Sequence, residues 1–267
     1  MAFYNTNLVT KVVEAPADNS DFIAALEGVD TSIKLPDGLT KIRNNAFHNW
    51  TALIDVTIPD TVSYIGGSAF NNCTSLSLTK LPNNLTFIGN SAFNACSNLE
   101  LTELPIGVID VEINAFYGCT KLLLASLPPG LTMVKNSAFY NCQNLKLTEL
   151  PDGVTKIGNF AFYSCNQIAL IKLPIGLTEI GPSAFYNCKK ITITELPENI
   201  TTIGNGAFQM CLGLTEITFK GTPTSIGSTT FSGCTNLTTI NVPWAEGEVA
   251  NAPWGATNAT INYNYTE

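Results

Sequence analysis

The chain has 267 residues, of which 45% are hydrophobic and only 13% charged, and its formal net charge is −8. Its 13 Lys and Arg residues are spread along the sequence and form no basic stripe that would attract nucleic acid or an anionic membrane. No segment reaches the roughly 18 consecutive apolar residues needed to span a bilayer. We therefore expect neither nucleic acid binding nor membrane insertion.

Residues 1–34 precede the regular part of the sequence, and we expect them to form an N-terminal arm and cap. Within them, Ser20 to Gly28 predicts a short helix, because Ser20 can cap it, an apolar face follows and Gly28 can end it. Met1 to Asp18 has no period, and we interpret it as an arm that contacts another component of an assembly. The start of the chain lacks a basic stretch followed by an apolar run, so no signal peptide is predicted.

Residues 35–242 repeat with a period of 23 residues. A phenylalanine marks the period nine times, at Phe47, Phe70, Phe93, Phe116, Phe139, Phe162, Phe185, Phe208 and Phe231. The full unit reads L-P-x-G-L-T-x-I-G-x-x-A-F-x-x-C-x-x-L-x-x-x-x, as in Leu173 to Glu195. A unit this short cannot bury its own apolar face, so successive units must stack as coils around one core. The pattern predicts a mostly β repeat solenoid of about nine coils with terminal caps.

Each coil is expected to contain two short strands. One is the L-T-x-I piece, such as Leu177 to Ile180. The other ends at the leucine before the repeat proline, because proline cannot donate to a sheet ladder. After the repeats, residues 243–267 carry Trp244, Trp254, Tyr263 and Tyr265, and large aromatic side chains of this kind suit an aromatic cap over the last coil.

The eight cysteines all lie on the 23-residue grid, at Cys73, Cys96, Cys119, Cys142, Cys165, Cys188, Cys211 and Cys234. Stacked coils would point these side chains in one direction, with Cβ atoms ~4.8 Å apart rather than the ~3.8 Å that a disulfide prefers. No C-x-x-C metal knuckle is present. We therefore expect a column of small, buried thiols and a chain that folds in a reducing cytoplasm.

The sequence contains no recognisable catalytic motif. It has a single histidine, and it lacks a serine nucleophile elbow, a Walker loop and a zinc-binding helix. Glu103, Glu149 and Glu195 share one grid position, with Ser126 and Lys172 between them, which favours charge pairing between coils. A carboxylate pair for glycoside cleavage is the alternative interpretation. We expect no enzyme and no cofactor or metal.

Two rows of side chains that vary along the repeat are the candidate binding surface. The first row follows the A-F pair and places four tyrosines on adjacent coils, at Tyr117, Tyr140, Tyr163 and Tyr186. They could bind a protein or a glycan, since aromatic side chains stack on sugar rings and anchor protein interfaces. The alternative is a structural ladder in which the rings stack only on one another.

The second candidate row is an extra apolar position in the central coils. It comprises Leu101, Leu124, Leu147 and Leu170, with Leu78 and Ile193 at its ends. Strand alternation in the register of the terminal coils would leave these side chains on the surface, as an apolar docking groove. The alternative is a local bulge that turns the leucines inward and turns Thr79, Thr102, Thr148 and Thr194 outward.

The run A-F-x-x-C-x-x-L followed by L-P-x-x-L-T-x-I-G resembles the BspA-like (Treponema-type) leucine-rich repeats over about Leu35 to Val242. The resemblance implies a curved, right-handed array with a parallel sheet on its concave face, and it brings no catalytic residues. Members of this family are often adhesins or surface proteins of microbes and protists, and related arrays occur in phage and prophage proteins.

Taken together, the sequence favours a non-enzymatic structural or binding module. Our leading hypothesis is a phage virion-associated protein, in a decoration or tail structure, that presents its repeat surface to a protein or glycan ligand and contacts the virion through the N-terminal arm. The alternative is a bacterial or protist cell-surface adhesin, and a solenoid glycosidase is the third hypothesis. The expected location is the virion or an extracellular surface.

Overall fold

The computed structural model describes residues 2–6, 9–13, 31–35 and 37–266. In these residues it contains short strands, tight turns and no α-helix. The chain begins with β1 (Ala2–Thr6) and β2 (Val9–Val13), which pair antiparallel with Ala2 opposite Val13. The helix predicted over Ser20 to Gly28 lies outside the described residues. From residue 31 onward the chain winds into stacked coils, which is the β solenoid that the repeat predicts.

The L-T-x-I piece of each coil forms a strand of two residues, and these strands pair in parallel, 23 residues apart. Lys156, for example, lies opposite Glu179. In every pair the second residue is buried and the first points outward. The nine strands are β4 (Lys41–Ile42), β6 (Tyr64–Ile65), β7 (Phe87–Ile88), β8 (Asp110–Val111), β9 (Met133–Val134), β10 (Lys156–Ile157), β11 (Glu179–Ile180), β13 (Thr202–Ile203) and β15 (Ser225–Ile226).

The piece before the repeat proline forms strands only near the two ends of the array. At the N-terminal end, β3 (Ser32–Lys34) pairs with β5 (Asp55–Thr57). At the C-terminal end, the strands follow one another in parallel as β12 (Glu195–Leu196), β14 (Glu216–Phe219), β16 (Thr239–Asn241) and β17 (Thr260–Asn262). Strand β17 belongs to residues 243–267, so this segment adds a tenth turn to the stack, and it buries Trp244 and Trp254.

The A-F segment of each coil is held by backbone hydrogen bonds to the next coil. In the first coil, the N–H groups of Asn45, Phe47 and Asn49 donate to carbonyls one coil away at 2.9, 2.7 and 2.8 Å. Asn45 and Asn49 have φ values of 57° and 63°. The position before the A-F pair and the position two residues after it therefore adopt the left-handed conformation in nearly all coils, which explains why Asn, Ser and Gly fill them in most coils.

The core is a set of columns, each built from one repeat position. The nine repeat phenylalanines are buried, and neighbouring rings stack with centroid separations from 5.0 to 5.8 Å. The eight cysteines are free and buried beside them, as the sequence predicts. Because each side chain packs mainly on its equivalents one coil before and one coil after, the array is stabilised through contacts between neighbours.

The glycine after the L-T-x-I piece allows two coils to approach closely. A Cβ atom built on Gly158 would lie 2.5 Å from Asn136 Oδ1 and 2.6 Å from Asn136 N. Lys135 occupies this position in its coil, and strand β9 of that coil does not pair with β8 of the preceding coil, since the two strands belong to different sheets. Ion pairs cross the gap instead, from Lys135 Nζ to Asp110 Oδ1 at 2.6 Å and to Glu112 Oε1 at 2.5 Å.

Candidate functional site

The central leucine row faces the core, so the exposed arrangement considered from the sequence is wrong. The side chains of Leu101, Leu124, Leu147 and Leu170 are all 0% exposed. The threonines that follow them in the repeat, such as Thr102 and Thr148, are exposed. Burying an aliphatic side chain is worth about 1.5–3 kcal/mol, and this gain favours a local bulge over regular alternation. These four leucines are therefore removed from the candidate binding surface.

The four tyrosines of the first row form one continuous strip, which we call the Tyr strip. Neighbouring rings are parallel within 4°, with centroid separations of 4.4 Å for Tyr117 and Tyr140, 4.7 Å for Tyr140 and Tyr163, and 4.5 Å for Tyr163 and Tyr186. All four side chains are half-buried. Both faces of the Tyr140 and Tyr163 rings lie against other rings, so these two residues offer their edges and hydroxyl groups to solvent.

The stacking also affects the acidity of the strip. Partial burial, together with the neighbouring phenols of Tyr117 and Tyr163, raises the pKa of Tyr140. Partial burial and Tyr186 likewise raise the pKa of Tyr163. The hydroxyl groups of Tyr140 and Tyr163 therefore stay protonated at neutral pH, and each can both donate and accept a hydrogen bond.

Two exposed apolar side chains extend the Tyr strip. Phe160 is 41% exposed with its ring centroid 6.1 Å from that of Tyr163, and Met210 is 40% exposed with Sδ 3.5 Å from the hydroxyl of Tyr186. Their φ values are 56° and 59°, in the left-handed region. Bulky residues cost about 1–2 kcal/mol there, and neither side chain enters the core in return. Packing of the core therefore does not explain why Phe160 and Met210 occupy these positions.

These two residues were not among the candidates drawn from the sequence, which comprised only the tyrosine and leucine rows. The signal was present, since a phenylalanine and a methionine interrupt columns that otherwise hold small or amide residues. Only the backbone angles reveal that both residues occupy a costly conformation.

A line of cavities follows the repeat prolines on another side of the coils. The first, of about 310 Å³, is lined by Lys80 and Glu103 among others, and the second, of about 250 Å³, is lined by Glu149 and Asp152. The third, of about 640 Å³, has a lining that includes Ile171 and Lys220. They open along the edge where each coil turns at its proline. This edge is the second surface that could hold a ligand.

Two of the three carboxylates considered for glycoside cleavage form ion pairs with lysines. Glu149 lies 3.8 Å from Lys172, and Glu195 lies 3.2 Å from Lys220, which is the charge pairing between coils that the sequence favours. In the described part of the chain, no group of three or more His, Cys, Asp or Glu side chains could hold a metal ion. No helix among the described residues has the length and apolar character needed to cross a membrane.

Comparison with known families gives one match. A profile described as "BspA type Leucine rich repeat region" matches six copies over residues 30–146 and 132–251. A search of curated protein sequences finds no match. The family profile thus spans the repeats and part of the segment that follows them.

Several bacterial leucine-rich repeat structures resemble the chain. A leucine-rich cell surface protein from Faecalibacterium prausnitzii A2-165 is 25% identical, with a TM-score of 0.48 and coverage of 90% of this chain and 89% of the other. The T. pallidum leucine-rich repeat protein is 27% identical, with a TM-score of 0.49 and coverage of 69% and 78%. A leucine-rich repeat protein from Eubacterium ventriosum is 21% identical, with a TM-score of 0.50 and coverage of 79% and 66%, which shows a shared fold alone.

Proposed function

Because the chain belongs to the BspA-type leucine-rich repeat family, we propose that it is a non-enzymatic binding module that contacts a protein partner through the Tyr strip, Phe160 and Met210. The observation that carries the proposal is the position of Phe160 and Met210. Both are exposed in a backbone conformation that disfavours them, and both contact the strip. Costly local conformations that the core does not require cluster at functional sites.

The geometry of the strip favours a protein over a glycan. A sugar ring stacks on the face of an aromatic ring, and both faces of Tyr140 and Tyr163 lie against neighbouring rings. Ring edges with hydroxyl groups, beside an apolar Phe and Met, match the composition of protein interfaces, in which Tyr, Phe and Met are enriched.

Photo-crosslinking tests the contact. We would replace Tyr140 by p-benzoylphenylalanine and, as the matched control, Thr155, which is exposed on the L-T-x-I row of the neighbouring coil. Irradiation of the full chain on intact particles or cells should yield one protein partner from position 140 and none from position 155. The double variant Tyr140→Ala with Tyr163→Ala should lose that partner while its melting temperature changes little. Equal crosslinking from both positions, or a large loss of stability, would overturn the proposal.

We further propose that the module is displayed on a phage particle, with a bacterial or protist cell surface as the alternative. The buried, reduced cysteines suit a chain that folds in a reducing cytoplasm before display. Mass spectrometry of purified particles and of host surface fractions separates these cases. Absence from particles together with abundance on cells would replace the virion assignment by the cellular one.

A further inference from the structure

Most coils contain three consecutive residues that end at the leucine before the repeat proline. The backbone hydrogen bonding of these three residues differs between the middle of the array and its ends. We call the central sets the proline triplets, which are residues 79–81, 102–104, 125–127, 148–150 and 171–173. Their N–H and C=O groups form no hydrogen bond with any other described residue. Toward the ends the ladder is present, since the Leu35 N–H donates to Thr57 at 2.9 Å and the Thr218 N–H donates to Thr194 at 2.8 Å.

The cause is the bulge that buries the central leucines. In this stretch of each central coil one bond to a neighbouring coil remains just before the triplet, such as that from the Leu123 N–H to the Leu101 carbonyl at 3.0 Å. Beyond it, the backbone leaves the ladder so that Leu101 can enter the core. Thr102 and Glu103 are exposed, so water can satisfy the backbone groups of this stretch. The free amides are therefore tolerated, and a ligand can replace that water.

The three cavities lie along the proline triplets, and residues from all five triplets line them. Six carboxylates and three lysines line the cavities, which gives a net charge of −3. Lys172 and Lys220 pair with Glu149 and Glu195. Within the described chain, no lysine or arginine lies within ion-pair distance of Glu103, Asp152 or Glu198, and these three carboxylates remain to attract a cation.

Apolar side chains stand beside the charges at the C-terminal end of this line. Ile171 is 64% exposed and Ile175 is 79% exposed, and both line the cavity of about 640 Å³. Neither side chain is buried in the core. They supply apolar contact area within a surface whose other groups would bind a ligand through charge and hydrogen bonds.

We propose that the proline triplets and their cavities form a groove that binds an extended, positively charged polypeptide segment of a partner. A polypeptide offers one backbone donor and one acceptor per residue, which matches the mixed set of free N–H and C=O groups in the groove. Lysine or arginine side chains would pair with Glu103, Asp152 and Glu198, and apolar side chains would contact Ile171 and Ile175. The net negative charge opposes nucleic acids and acidic segments.

The length of the groove sets the length of the segment. Five triplets at a spacing of ~4.8 Å span roughly 19 Å, which about six residues of an extended chain cover at ~3.3 Å each. This groove is separate from the Tyr strip, and its occupant need not be the partner that the strip contacts. The two sites can therefore be tested independently on the same full chain.

The probe is a fluorescein-labelled heptapeptide of alternating Lys and Val residues, titrated with the full chain and followed by anisotropy. We expect saturable binding that weakens as the ionic strength rises from about 0.05 M to about 0.5 M. The same peptide with Glu in place of Lys should not bind. In hydrogen exchange, the amides of 102–104 and 148–150 should exchange rapidly in the free chain and become protected when the Lys peptide binds.

The triple variant Glu103→Gln, Asp152→Asn, Glu198→Gln should weaken peptide binding roughly tenfold. The matched control Glu179→Gln, Glu246→Gln, Glu248→Gln changes the total charge equally but lies outside the cavities, and it should bind as the unmodified chain does. The Tyr140→Ala, Tyr163→Ala variant should also bind the peptide normally, which separates this proposal from that for the Tyr strip. Equal losses in both triple variants, no peptide binding, or binding of cellohexaose instead would overturn the proposal.

Discussion

The thiol of Cys142 donates a hydrogen bond to the backbone carbonyl of Phe116, one coil earlier, with Sγ and O 3.0 Å apart. All eight cysteines form this bond to the phenylalanine 26 residues before them, at 2.9 to 3.0 Å. The same carbonyl also accepts a bond from a backbone N–H, such as that of Cys119 at 3.2 Å. The cysteine column thus combines small apolar volume with a weak donor that saturates a buried acceptor.

Stability should fall steeply in alkaline solution because of this column. Burial raises the pKa of Cys73 to about 12 and that of Cys234 to about 11, and it raises the pKa of the six thiols between them. The unfolded chain loses thiol protons near pH ~9 while the folded chain retains them, so stability is full below that pH and declines above it. Eight protons give a slope of as much as ~11 kcal/mol per pH unit, which urea unfolding at several pH values would measure.

The variant Cys142→Ala serves as the control for this pH dependence. It removes one titrating thiol, so the slope above pH ~9 should decrease by about 1.4 kcal/mol per pH unit even though the variant is less stable at neutral pH. An unchanged slope would show that the thiols are not the groups responsible.

The close approach of neighbouring coils predicts opposite outcomes for two glycine variants. Gly158→Ala places a Cβ 2.5 Å from Asn136 Oδ1 and should cost about 1–3 kcal/mol. Gly176→Ala meets nothing within 4 Å at a position without positive φ, and it should change stability by less than about 0.5 kcal/mol or raise it slightly. Thermal unfolding of both variants checks this, and equal effects would contradict the packing of the coils described above.

The inward position of the central leucine row can be tested with adjacent residues. Leu124→Ala removes a fully buried side chain and should cost about 2–5 kcal/mol. Ala125 is exposed, so Ala125→Ser should alter stability by less than about 0.5 kcal/mol. Urea midpoints of the two variants decide the matter. If Leu124→Ala were harmless and Ala125→Ser costly, the register of the bulge would be wrong by one residue.

Phe160 should be dispensable for the fold but not for binding. Phe160→Asn places a residue that tolerates the left-handed conformation at φ 56°, so the melting temperature should not fall and the free energy of unfolding should rise by up to about 1 kcal/mol. Ala95 also has a left-handed backbone, with φ 59°, and it lies in a coil where Asn94 rather than a tyrosine follows the A-F pair. Ala95→Asn should stabilise similarly and leave crosslinking from position 140 intact, whereas Phe160→Asn should weaken it. A loss of stability in Phe160→Asn would give the side chain a structural role.

The stacked core residues of this molecule can be predicted from the sequence more completely than its surface residues can. Phe139 and Cys142 recur at fixed spacing, and a recurring residue in stacked coils must meet its own equivalents, so the core and the parallel strands follow directly. The orientation of Leu124 was open, because alternation and a bulge assign it to opposite sides and only the energetics of burial choose between them. The cost at Phe160 lies in a backbone angle, which composition does not reveal.

Because the backbone hydrogen bonds between coils are missing at the proline triplets of the central coils, the number of these coils sets the length of the proposed groove. Each central coil contributes one proline triplet, and the bonds of a coil extend only to the coils before and after it. Inserting or deleting one 23-residue unit among the central repeats would lengthen or shorten the groove by ~4.8 Å and leave its cross-section unchanged. The number of central coils would then set how many residues of a bound segment are held, so that related chains could select partners by length as well as by charge.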